Sequence, residues 1–107
     1  MVKPTVSNNT KPREYLLLQN YPNPFNPVTE IKYDLPENAH VVLSLFNVLG
    51  QEVRTFVDEQ QDAGHKTVRF DAGTLPSGVY FYRLQARPID GGRAGWFVDV
   101  KKMVLAK

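Results

Sequence analysis

No cysteine occurs in the 107-residue chain, which excludes a disulfide framework, a zinc knuckle and a thiol nucleophile. Long apolar runs are also missing. The longest, at residues 15–18, 79–82 and 103–106, fall far short of the roughly 18 residues that span a bilayer. Met1-Val2-Lys3-Pro4 lacks the apolar stretch of a secretory signal peptide, so any export information is expected elsewhere in this chain or in a larger parent. Charge of one sign is scarce too: 13 Lys and Arg face 11 Asp and Glu, a net +2. Phosphate binding needs a concentrated basic face, and no nucleic-acid partner is expected. No stretch holds a helical period over ten residues.

What is present points to short strands. The chain is 42% hydrophobic and 11% aromatic, enough to fold, and its length fits one domain burying about two-thirds of its unfolded surface. Residues 1–13, with two prolines and small polar residues, read as a flexible linker or arm, and 14–107 as the domain. Residues 29–35 alternate strictly, with Ile31, Tyr33 and Leu35 on one face and Glu30, Lys32 and Asp34 on the other, the pattern of a half-buried strand. Pro36 stops it. Residues 41–46 form a second strand, Gly50 supplies the positive φ of a turn, and 52–57 return. A polar connection is expected over 58–64, then a strand over 66–70. Residues 79–84, apolar on both faces, read as a central strand between two layers. A loop over 87–95 and a final strand over 96–105 follow, with 15–18 a candidate seventh. Strands at this spacing with Gly and Pro punctuation predict an all-β antiparallel sandwich of about seven strands.

Candidate chemistry is thin. His40 and His65 do not stand at metal-ligand spacing and read as solvated strand-edge residues. Ser77, in Pro76-Ser77-Gly78, lacks the Gly-x-Ser-x-Gly elbow of a nucleophile. Asp58, Glu59 and Asp62 lack the alternation and distal glutamate of a calcium loop. No enzyme, metal or cofactor is expected. Tyr80, Phe81, Tyr82, Trp96 and Phe97 would bind sugar only as a flat exposed row, and packing is the plainer reading. Asn8-Asn9-Thr10 matches a glycosylation sequon, a motif short enough to arise by chance.

The densest feature is Gln19-Asn20-Tyr21-Pro22-Asn23-Pro24-Phe25-Asn26-Pro27. Each proline fixes φ and extends the residue before it, so the segment is stiff before it packs. It reads as a strap across the end of a sandwich, with Phe25 as a hydrophobic plug and asparagines bonding nearby backbone. A segment so ordered also suits recognition, because little entropy is lost on docking.

These residues carry a resemblance. Leu18 to Thr29, then Ile31-Lys32-Tyr33-Asp34-Leu35-Pro36, the block Val41 to Val53, Ala63-Gly64, Phe70-Asp71-Ala72, Leu75 to Leu84 and Lys102-Met103-Val104-Leu105 resemble the C-terminal sorting domain of the type IX secretion system, over about residues 16–107. The chain departs from the family pattern at Lys66, where histidine is common, and in a longer connection over residues 87–96. The resemblance implies an immunoglobulin-like sandwich that is a non-catalytic address on a larger cargo. In Bacteroidetes-type bacteria the secretion machinery reads it, the cargo crosses the outer membrane to the surface or medium, and a surface signal peptidase commonly removes the domain. It also marks Asn20, Pro22, Asn23, Pro24, Phe25, Asn26, Pro27, Gly50, Gly78 and Tyr80 as structural motif residues.

The candidate signal is Lys101, Lys102, Met103, Val104, Leu105 and Lys107. Residues 93–107 carry four cations (Arg93, Lys101, Lys102, Lys107) against Asp99, a larger surplus than the whole chain's. A basic terminal strand can pair by its edge with an acidic receptor, while lysines on an edge also guard against aggregation; weak strand-edge self-association stays open as a further partner. Two other readings stay open: a structural module similar to that of the flagellar hook-capping protein, and a carbohydrate-binding module.

Overall fold

A computed structural model describes residues 11–89 and 96–107. Most of the expected arm, the Asn8-Asn9-Thr10 sequon, and residues 90–95 of the long connection lie outside the described residues. The chain forms seven strands: β1 (Leu16–Leu17), β2 (Val28–Leu35), β3 (Ala39–Phe46), β4 (Glu52–Gln61), β5 (Gly64–Asp71), β6 (Gly78–Pro88) and β7 (Phe97–Leu105). All strand pairs are antiparallel, and no helix occurs among the described residues. One sheet has the order β1-β2-β5 and the other β4-β3-β6-β7. The expected all-β sandwich of about seven strands is therefore the fold.

Alternation builds the core between the sheets. Ile31, Tyr33 and Leu35 from β2 meet Val41, Leu43 and Leu45 from β3, Tyr82 and Leu84 from β6, and Met103 and Leu105 from β7, all essentially inaccessible. Each such side chain contributes roughly 1.5–3 kcal/mol of burial free energy. Strand β4 breaks register against β3 at two points, where Phe56 and Val53 have no opposite residue. These bulges turn extra apolar side chains inward, and Phe56 meets the Phe70 ring edge-on at 4.8 Å.

Three expectations change. The polar connection over 58–64 is mostly strand, because β4 runs on to Gln61 with Val41 opposite Glu59 and His40 opposite Gln60. Backbone pairing at a sheet edge needs no apolar side chain, so a polar sequence hides it. Strand β6 likewise runs past Leu84 to Pro88, opposite Ala39; proline is tolerated there because it ends the strand. Finally, β6 is central in its sheet but buried on one face only. Tyr80, Tyr82, Leu84 and Ala86 point inward, while Val79, Phe81, Arg83 and Gln85 face outward and stay half-buried.

The two outer faces differ. Outside the three-stranded sheet, β2 and β5 present Glu30, Lys32, His65, Thr67 and Arg69. Outside the four-stranded sheet stand Val42 and Phe46 from β3, Val79 and Phe81 from β6, and Val98 and Val100 from β7. The β3–β4 turn adds to the second face. Asn47 Oδ1 accepts the Leu49 and Gln51 amides at 2.9 and 3.0 Å, and Gly50 takes φ +83°, a conformation costly for any residue with a Cβ. That turn leaves Val48 and Leu49 67% and 78% exposed.

Candidate recognition surface

The strap joins the first strands to the last one. The Leu18 amide donates to Lys32 O at 3.0 Å, and Tyr21 exchanges two backbone bonds with Glu30 at 3.0 and 2.9 Å. Between them Asn20, 2% exposed, donates through Nδ2 to Pro22 O (3.1 Å) and Thr29 Oγ1 (3.0 Å), and the Thr29 hydroxyl donates to Pro22 O at 2.9 Å. The peptide bonds before Pro22, Pro24 and Pro27 are cis. Pro22, Asn23, Pro24 and Asn26 are exposed and Pro27 is half-buried. Phe25 points inward and is 2% exposed, its ring 6.0 Å from that of Phe70.

From there the strap grips β7 along the edge that β6 leaves open. Phe25 N donates to Val104 O at 2.9 Å and Ala106 N to Phe25 O at 3.0 Å. Val104 N donates to Asn23 Oδ1 at 2.9 Å, and Gln19 Nε2 to Lys102 O at 2.7 Å. Successive residues of a strand aim their amides to opposite sides, so Val98 and Val100 share this outer side with Lys102 and Val104. The strap therefore covers the 102–106 stretch, while the Val100 amide donates to Asp99 Oδ1 at 2.9 Å.

Tyr82 locks the strap from below. Its hydroxyl accepts from the Asn20 amide at 2.7 Å and donates to Leu18 O at 2.8 Å. Burial pushes this phenol up to about 12, partly opposed by the Asn20 hydrogen bond, with Asp99's charge adding to the rise. Tyr33 is pushed up to about 12 as well, by burial first, with its Gln61 hydrogen bond opposing and Glu59's charge adding. A raised folded-state value means the stabilisation is complete below the ordinary tyrosine value near 10 and is lost as pH climbs through about 12. In an ultraviolet titration, two of the five tyrosines are therefore expected to ionise only near pH 12 or together with unfolding. Tyr82→Phe is expected to remove one of these and to cost about 1–3 kcal/mol, because it strands the Asn20 amide. Five tyrosines titrating together near 10 with the fold intact would overturn this reading.

The six candidate signal residues divide by face. Met103 and Leu105 are core, 0% and 1% exposed. Lys102 is exposed and Val104 half-buried on the outer side, and Lys101 is half-buried with Nζ 3.9 Å from Asp99 Oδ2. Lys107 closes the tail, its Nζ donating to Gly73 O at 2.8 Å and its amide to Ser77 Oγ at 3.1 Å. Gly78 opens β6 opposite Leu105, and Tyr80 donates to Pro76 O at 2.7 Å. Ser77 thus sits in the turn that receives the tail.

The remaining candidates scatter. Tyr80 and Tyr82 are buried, Phe97 stacks on Tyr15 at 5.4 Å, and Trp96 lies exposed under Arg87, so these rings form no single exposed row. His40 contacts Asp58 at 2.9 Å and His65 contacts Asp34 at 2.7 Å, pairs made across neighbouring strands. No cluster of three or more metal-binding side chains occurs among the described residues. Sequence reasoning passed over Gln19, Thr29 and the hydroxyl of Tyr82. A buried tyrosine needs a hydrogen-bond partner, and that was the available signal for Tyr82.

Residues 19–89 match the family described as secretion system C-terminal sorting domain, a span that takes in the strap and β2 to β6. No curated protein and no solved structure matches the chain.

Proposed function

The chain belongs to the type IX secretion C-terminal sorting domain family, and from that premise we propose that it is the address which carries an attached cargo across the outer membrane to the cell surface or medium. A sorting domain of this kind implies contact with the type IX machinery and with a cargo. The observation that supports a role for β7 is the strap itself. Four hydrogen bonds from Gln19, Asn23 and Phe25 hold one edge of a basic strand in a fixed shape. Lys102 and Val104 face outward from it, and the backbone at Val98 continues the same edge. A pre-shaped edge binds with little ordering cost, and cations attract an acidic receptor. Removal of the domain by a surface peptidase and attachment of the cargo at the surface are parts of the same proposal.

The test is export of a fluorescent protein that is delivered to the periplasm with residues 1–107 fused behind it, in a type IX-competent bacterium. Surface or medium fluorescence is expected with the fusion and not with the fluorescent protein alone. Retention of a stable, intact fusion in the periplasm, while a known sorting domain works in the same host, would overturn the proposal and favour the structural-module reading.

A further inference from the structure

Arg83 lies in an unusual setting on the outer face of the four-stranded sheet. Its guanidinium carbon stands 4.7 Å from the Phe46 ring centroid. Its Nε is cut off from solvent and has no hydrogen-bond partner, and the same holds for the hydroxyl of Ser44, which β3 places directly opposite Arg83. Buried polar atoms are rarely left unpaired, and here two belong to cross-strand neighbours, of which Arg83 lines a shallow hollow of about 300 Å³. Phe46, Val48, Gly50, Phe81, Arg83 and Val100 line it.

The surroundings say what would fit. Val48 lines one rim and Leu49 follows it in the same turn, both exposed, and nothing in the fold needs them apolar. Alternation along β6 and β7 gives the charged residues facing outward from these strands: Arg83, Arg87 and Lys102. All three are cations; β4 adds Glu52 opposite Phe46 and Asp58 opposite Val42 to the same face, Asp58 is paired with His40, and Arg83 has no acidic partner among the described residues. The opposite outer face, with Glu30, Lys32 and Arg69, is mixed in sign and polar.

We propose that this hollow is a second docking site, distinct from the β7 edge, and that its occupant is a segment of the export machinery presenting a carboxylate beside apolar side chains. The carboxylate meets Arg83, whose planar fork suits it, and the apolar side chains cover Val48, Leu49 and Phe81. The assignment of the occupant rests on the sorting function proposed above.

The test uses the same fusion with two unrelated cargos. Arg83→Glu and Leu49→Asp are each expected to lower export about tenfold or more with either cargo. Lys32→Glu, a charge reversal on the opposite face, is expected to leave export unchanged. Melting of each purified chain checks folding; should Arg83→Glu melt early, Leu49→Asp decides, since its side chain is exposed. Undiminished export of folded Leu49→Asp overturns the docking site and leaves the sorting function standing. Failure of the unaltered fusion overturns both. A defect confined to one cargo assigns the hollow to cargo, and a dimer in solution that Leu49→Asp dissolves assigns it to a second copy. Either result also overturns the proposal.

Discussion

Deleting residues 98–107 is expected to reduce export of an attached cargo to the background of an unfused protein. The truncation removes nearly all of β7, and with it Met103 and Leu105 from the core. It also removes Lys102 O, both Val104 backbone groups and the Ala106 amide, which the strap holds. Loss of two fully buried side chains costs several kcal/mol, a large share of the roughly 5–15 kcal/mol that stabilises a typical domain. The deletion therefore removes a signal and weakens a fold at once. The double substitution Lys101→Glu and Lys102→Glu separates the two, since both side chains reach solvent and neither fills the core. If the machinery reads the cationic edge, this variant melts near the unaltered chain yet exports several-fold less. Normal export of the truncated fusion would sink the role of β7 altogether; normal export of the double variant alone would show that shape and not charge is read.

Phe25→Ala is expected to destabilise the domain by about 3–5 kcal/mol, the usual cost of emptying a buried ring site. At about 4–8 °C per kcal/mol for a domain of this size, the melting midpoint falls by more than 10 °C. The ring is 2% exposed and packs on Phe70, so little collapse can refill the space. The backbone on either side of it bonds Val104 and Ala106. Amide exchange should therefore accelerate first at Val104 and Ala106, ahead of the β2–β5 ladder. An unchanged midpoint would show that the ring is solvent-exposed.

The fold was largely legible because its core strands obey the period-2 rule. Ile31, Tyr33 and Leu35 alternate with charges, and the structure buries those three, exposes Glu30 and Lys32 and half-buries Asp34. Phe25 was legible as a plug because prolines on both sides leave it the one large apolar group in a stiff segment. Alternation fails where a strand has no apolar side to show. Asp58, Glu59 and Gln60 sit on an edge strand whose pairing needs no apolar side chain, so sequence pattern ends β4 too early. At β6 the opposite error arises, because outward-facing Val79 and Phe81 look like core.

The grip of the strap on β7 was not legible. Asn23 and Val104 lie 81 positions apart, Gln19 and Lys102 83, and neither residue's local sequence names the other. Arg83 and Ser44 were hidden for a related reason: their opposition exists only once β3 and β6 have taken their register.

The same long reach bears on synthesis. The groups that hold the strap to β7 lie between residues 102 and 106, so they leave the ribosome long after the strap itself. Until then Asn23 and Phe25 wait without their β7 partners, and contacts of such separation are slow to close. A product that stops short of residue 102 offers the strap no edge to grip, whatever precedes it. The closure that shapes the strand is thus also a check that translation has run through it.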